Sequence, residues 1–158
     1  MQANDGFSPS PALWRARLVR AHLVSGWGGL FLFAALGLAL ESLHAFKVDG
    51  YLNADQEARR LLWRLAHGHG TLLSLVQIAF AWTLTRLPDT HFPRPMGLAS
   101  GSLTSAWLLL PGGFFLGGIG ATSADPSSAI LLVPLGALLL LFGLGSTAWC
   151  AFQLTPKP

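Results

Sequence analysis

Residues 129–149, AILLVPLGALLLLFGLGSTAW, hold no charged side chain, and their reading decides the fold class. A helix of about 20 mostly apolar residues crosses the hydrocarbon core of a bilayer. This stretch lies in an expected span over 128–153. Working back along the chain, similar apolar segments occupy 22–43, 65–85 and 96–119. The pattern predicts an all-α integral membrane protein, a four-helix transmembrane bundle with short interfacial helices.

The third span is the least regular, because Pro111, Gly112 and Gly113 sit near its middle. In lipid, neighbouring helices re-satisfy backbone groups freed by proline, so Pro111 and Pro134 are expected as kinks within spans. A proline-rich stretch over 87–95 separates the second and third spans, and 122–128 makes the turn before the fourth.

Whole-chain composition agrees. Of the 158 residues, 52% are hydrophobic and 11% charged, against about a quarter charged in soluble domains. The mean hydropathy is +0.52. A water-soluble domain this small could not bury so much apolar surface. The formal charge of +3 and pI near 9.8 come from basic residues scattered over the terminus and loops. They form no continuous basic face, so nucleic acid is not an expected partner; the expected surroundings are the lipid bilayer and its headgroups. Cys150 is the sole cysteine, which excludes an intramolecular disulfide and a cysteine-based zinc motif.

Orientation follows from Lys and Arg placement. With the N-terminus inside, Arg15, Arg17, Arg20, Arg86, Arg94 and Lys157 fall in cytoplasmic segments. Lys47, Arg59, Arg60 and Arg64 fall outside. The bias predicts both termini in the cytoplasm, in a bacterial cytoplasmic membrane. Domain organisation is then a cytoplasmic segment over 1–21, a four-span domain over 22–153 and a tail over 154–158. PALWRARLVR (11–20) and DQEARRLLWR (55–64) are expected to lie along the inner and outer headgroups. The apolar run after the first basic stretch exceeds the length of a secretory h-region, so a retained signal-anchor is expected.

Two spans carry polar faces. In the first, His22, Gly26, Gly29, Phe33, Gly37, Glu41 and His44 recur at steps of three and four, one helical face. Gly26, Gly29 and Gly37 there, and Gly113 and Gly117 in the third span, permit close helix packing. The second span has a matching stripe of His67, Thr71, Ser74 and Gln77. For Thr71, Ser74 and Gln77 the expectation is hydrogen bonding between helices.

If the first two spans are antiparallel neighbours, Glu41, His44, His67 and His69 approach one another at the outer surface. Three imidazoles and a carboxylate suit a transition metal, and two imidazoles from facing helices suit haem iron. The carboxylate could instead orient one imidazole, or pass protons with it. His67 and His69 diverge by about 200° on a regular helix, so both join one site only if Gly68 and Gly70 interrupt the helix. The structural alternative pairs Glu41 locally with His44, Lys47 or Arg64, with the histidines among headgroups. His22 and His91 fall at the opposite face and read as headgroup or loop histidines.

The sequence contains no GxxxxGKS/T loop, HExxH, GxSxG or CxxC. The expected function is therefore a non-enzymatic membrane subunit or accessory protein, carrying a metal or haem at the outer ends of spans one and two. Its partner would be another membrane protein or further copies of itself. The alternative is an oligomeric small transporter or proton-conducting protein that uses Glu41.

Overall fold

The computed structural model describes residues 10–87, 94–121 and 125–153. Most of these residues are helical, and they include no strand. Helix α1 is Pro11–Ala45, α2 is Asp49–Leu52, α3 is Glu57–Arg86, α4 is Arg94–Ile119 and α5 is Leu132–Phe152. Short 3-10 turns, Ala54–Gln56 and Ser128–Leu131, lead into α3 and α5.

Helix α1 starts directly after a serine cap. Ser10 Oγ accepts from the Leu13 N–H at 3.4 Å, and Pro11 fills the first turn, where its missing N–H costs no bond. The helix then runs 35 residues without interruption, about 52 Å at 1.5 Å per residue. Residues 11–20, expected along the inner headgroups, are continuous with the rest of α1. Those residues are the first turns of α1, and Arg15 fixes them by donating to the Leu87 carbonyl at 2.9 Å.

At its far end α1 stops at a reversal centred on Lys47, whose φ of 50° is left-handed. This conformation lets the Lys47 and Val48 N–H groups reach the His44 and Leu43 carbonyls at 3.1 Å each. The expected interfacial helix over 55–64 is divided. Helix α2 and a 3-10 turn take its approach, while 57–64 form the start of α3 itself. Arg60 ties these pieces together, donating to the Tyr51 carbonyl at 2.8 Å and the Asn53 carbonyl at 2.7 Å.

The helices run up, down, up and down. Along α1 and α3, Gly26 meets Ile78, Gly29 meets Ser74, Phe33 meets Gly70 and Gly37 meets His67. Each helix thus supplies a glycine where the other presents a side chain, which brings the backbones close. Between α4 and α5, Leu103 sits over Gly143, Leu110 over Gly136 and Val133 over Gly113. Gly117 has only ordinary contact, with Ile130 at 3.6 Å from a would-be Cβ. Between α3 and α4, Arg59 donates to the Gly118 carbonyl at 3.1 Å and Trp63 to the Phe115 carbonyl at 3.2 Å. The Gly118 carbonyl is in the last turn of α4 and lacks a partner within that helix, and a guanidinium there also suits the helix dipole.

The prolines act differently from each other. Pro111 lies inside α4, which continues through it. Pro134 was expected as a kink, but it occupies the first turn of α5, where no intrahelical N–H bond is lost. The 3-10 turn before it absorbs the irregularity.

At one end, Phe80, Leu84, Leu87, Met96, Ala99 and Leu103 form a buried apolar cluster packed against Trp14 and Leu18. The outside is apolar. On α1, Val24, Phe31 and Leu38, seven residues apart, are 66%, 79% and 71% exposed. A helix whose large apolar side chains face outward and whose polar ones face inward is arranged for lipid, not water. Three segments, Pro11–Ala45, Pro95–Ile119 and Ser128–Phe152, are long and apolar enough to cross a membrane. Helix α3 is not among them.

Candidate functional site

Helix α3 is less apolar than the other long helices, and it carries two of the buried polar side chains of the interior. Ser74 and Gln77 are 0% and 1% exposed. Ser74 Oγ accepts from Trp107 Nε1 at 2.9 Å and donates to its own helix at the Gly70 carbonyl, 2.7 Å away. Thr71, the third member of that stripe, donates to the His67 carbonyl of α3 at 2.9 Å. Ser74 and Gln77 therefore bond across helices, whereas Thr71 back-bonds within its own.

Gln77 organises a three-helix knot. Its Nε2 donates to the Leu103 carbonyl at 3.1 Å, which leaves Oε1 to face His22 Nδ1. An amide oxygen accepts only, so Nδ1 carries the imidazole proton. His22 Nε2 then accepts from the Ser100 hydroxyl at 2.7 Å. One carbonyl thus fixes an amide, a tautomer and a hydroxyl in turn. The His22 ring also packs edge-on to Phe80 with centroids 4.6 Å apart. His22 is 2% exposed, so the expectation of a headgroup histidine is corrected. It follows the inward glycine face of α1, and antiparallel α3 brings Gln77 to meet it. His91 lies outside the described residues.

The four residues expected to form a metal or haem cluster separate. Helix α3 stays regular through Gly68 and Gly70, so His67 and His69 face different neighbours. His67 Nδ1 donates to the Phe33 carbonyl of α1 at 2.6 Å. His69 Nδ1 donates to the Leu65 carbonyl at 2.9 Å, and its ring lies 5.0 Å from that of Phe114 on α4. His44 is exposed in the last turn of α1. Among the described residues, no three His, Cys, Asp or Glu side chains are grouped to hold a metal ion.

Glu41 and His67 do share a space. They line a cavity of about 380 Å³ between the ends of α1 and α3, together with Tyr51 and Arg64. Ala34, Gly37 and Leu38 continue it toward the middle of α1. Because Nδ1 of His67 is committed to a carbonyl, its Nε2 presents a lone pair. Tyr51 is 4% exposed, and its buried hydroxyl has no hydrogen-bond partner among the described residues. From sequence, Arg64 is an outer-loop cation and a local partner for Glu41, with no sign that it lines a cavity. Tyr51 gives no sign either, because a lone tyrosine in a loop carries no periodic signal.

The chain matches no protein family, no curated protein and no solved structure.

Proposed function

We propose that this chain is a non-enzymatic four-span membrane protein, a subunit or accessory protein whose ligand site is the cavity between α1 and α3. The observation that carries this reading is the agreement between charge boundaries and helix packing. On α1, about 20 uncharged residues separate Arg20 from Glu41, and on α3 about 21 separate Arg64 from Arg86, each near one bilayer core in length. The antiparallel register sets Glu41 beside Arg64 and Arg15 beside the end of α3. Helix α3 lies against both α1 and α4, so it crosses with them, keeping its polar groups turned away from lipid.

In this reading Arg15, Arg17, Arg20 and Arg86 mark the cytoplasmic side of a bacterial membrane, and the cavity opens outside. Glu41 and His67 supply two ligands at most, so a transition metal or haem there needs further ligands from a partner chain or a second copy. The exposed apolar faces of α1 and α5 are available to such a partner as well as to lipid.

The test is to express the tagged full chain, extract membranes with alkali, and run mild-detergent extracts on native gels. Retention in the alkali pellet and migration in an assembly larger than one chain are expected. Release by alkali, or a monomer under every mild detergent, contradicts the proposal.

A further inference from the structure

The cavity carries four polar side chains of mixed charge at the edge of an apolar track, and that combination defines a ligand. Resting on the membrane-spanning reading above, we infer that it binds the headgroup of one phospholipid bearing a primary ammonium, of the ethanolamine type.

Three observations converge. First, Glu41 and Arg64 line the cavity from facing helices yet form no ion pair with each other or with any other described residue. A carboxylate and a guanidinium that line one cavity without pairing complement a zwitterion. Arg64 matches a phosphate with its planar donor fork, and Glu41 matches an ammonium. Second, the Tyr51 hydroxyl is buried without a partner on a side chain that lines the same cavity. A buried hydroxyl left unsatisfied is unfavourable, and a phosphate oxygen would accept from it. The His67 Nε2 lone pair would accept one of the three ammonium protons.

Third, the cavity is graded. Glu41, Tyr51, Arg64 and His67 make its polar end, while Ala34 and Leu38 extend it toward the middle of α1. Leu38 is 71% exposed, which gives an acyl chain an open apolar side to follow. The polar end coincides with the charge boundary of both helices, the depth at which headgroups lie. A free phosphate would leave Glu41 unmatched. A choline headgroup has no ammonium proton to donate to it, and a glycerol headgroup has no cation.

The test uses the full chain in detergent, loaded from mixed micelles with equal dioleoyl phosphatidylethanolamine, phosphatidylcholine and phosphatidylglycerol. Native mass spectrometry then reads the lipid retained. One ethanolamine lipid per chain is expected, favoured about tenfold over the others, in line with a charge-assisted hydrogen bond. Glu41→Gln should remove the preference for ethanolamine over glycerol, Glu41→Asp should keep it, and Arg64→Gln should lower retention of all three lipids. Soluble phosphoethanolamine at the lipid concentration should not compete, and full competition would overturn the assignment to a lipid. Equal retention of the three lipids, or a preference unchanged in Glu41→Gln, would overturn the inference. Because Glu41 is exposed, that variant keeps the fold, and its thermal transition checks this. A chain that stays in alkali-washed membranes without headgroup preference overturns this inference alone; one that alkali releases overturns the reading beneath it.

Discussion

Replacing Gln77 by leucine keeps most of its volume and removes the amide that orders the three-helix knot. Two hydrogen bonds go, one to His22 and one to the Leu103 carbonyl at 3.1 Å. Interhelical bonds in membrane proteins average about 0.6 kcal/mol and reach about 1.7. The change also strands the Nδ1 proton of His22, which is 2% exposed, and a buried donor without a partner costs about 1–3 kcal/mol. The expected loss is about 2 kcal/mol, or roughly thirtyfold in the unfolding equilibrium. Equilibrium unfolding in mixed micelles of increasing SDS fraction measures it. His22→Phe retains a ring against Phe80, and adding it to Gln77→Leu removes the stranded donor. The double variant should therefore recover about 1 kcal/mol relative to additivity. A Gln77→Leu loss under about 0.5 kcal/mol together with strict additivity would refute the proposed knot.

Neighbouring glycines give a sharper contrast. A Cβ on Gly29 would meet Ser74 Oγ and lie 2.9 Å from the Trp107 ring, whereas one on Gly28 meets nothing within 4 Å. Gly29→Leu should cost about 1–3 kcal/mol or more by overpacking, and Gly28→Ala should be neutral or stabilising by up to about 1 kcal/mol; the same unfolding assay reads both. Lys47→Gly should stabilise the chain by about 1 kcal/mol, because the left-handed φ of 50° strains a residue with a Cβ. In liposomes, the alternative role as a proton-conducting oligomer requires pH-driven flux that Glu41→Gln removes. The polar seam of one chain ends at His22, where Phe80, Leu84, Met96 and Leu103 take over, so no flux is expected from the monomer.

The sequence makes the helices legible because lipid imposes a length and excludes charge, and both are countable. It also displays the inward faces of α1 and α3, since Gly26, Gly29 and Gly37 recur at the spacing that meets Ile78, Ser74 and His67. The places where helices start are less legible. Charged stretches such as 11–20 and 55–64 read as headgroup-bound pieces, yet 11–20 belong to α1 and 57–64 to α3, because backbone hydrogen bonding does not stop at a charge. His22 and His69 mark the limits for the site. His22 sits near a charge boundary, where a histidine could face either headgroups or a helix, and only the register with Gln77 decides. His69 is two residues from His67, and nothing but helix regularity through two glycines sends it to Phe114. Tyr51 reaches the cavity by the fold of α2, which no local pattern announces.

The central claim is that α3 crosses the membrane although its composition alone does not require it. Single cysteines at Asp55 and Asp89, before and after α3, in a Cys150→Ser background test it most directly with a membrane-impermeant maleimide on intact cells and on inverted vesicles. The account predicts labelling of Asp55→Cys from outside and of Asp89→Cys from the cytoplasmic side only. Labelling of both from the same side would contradict it.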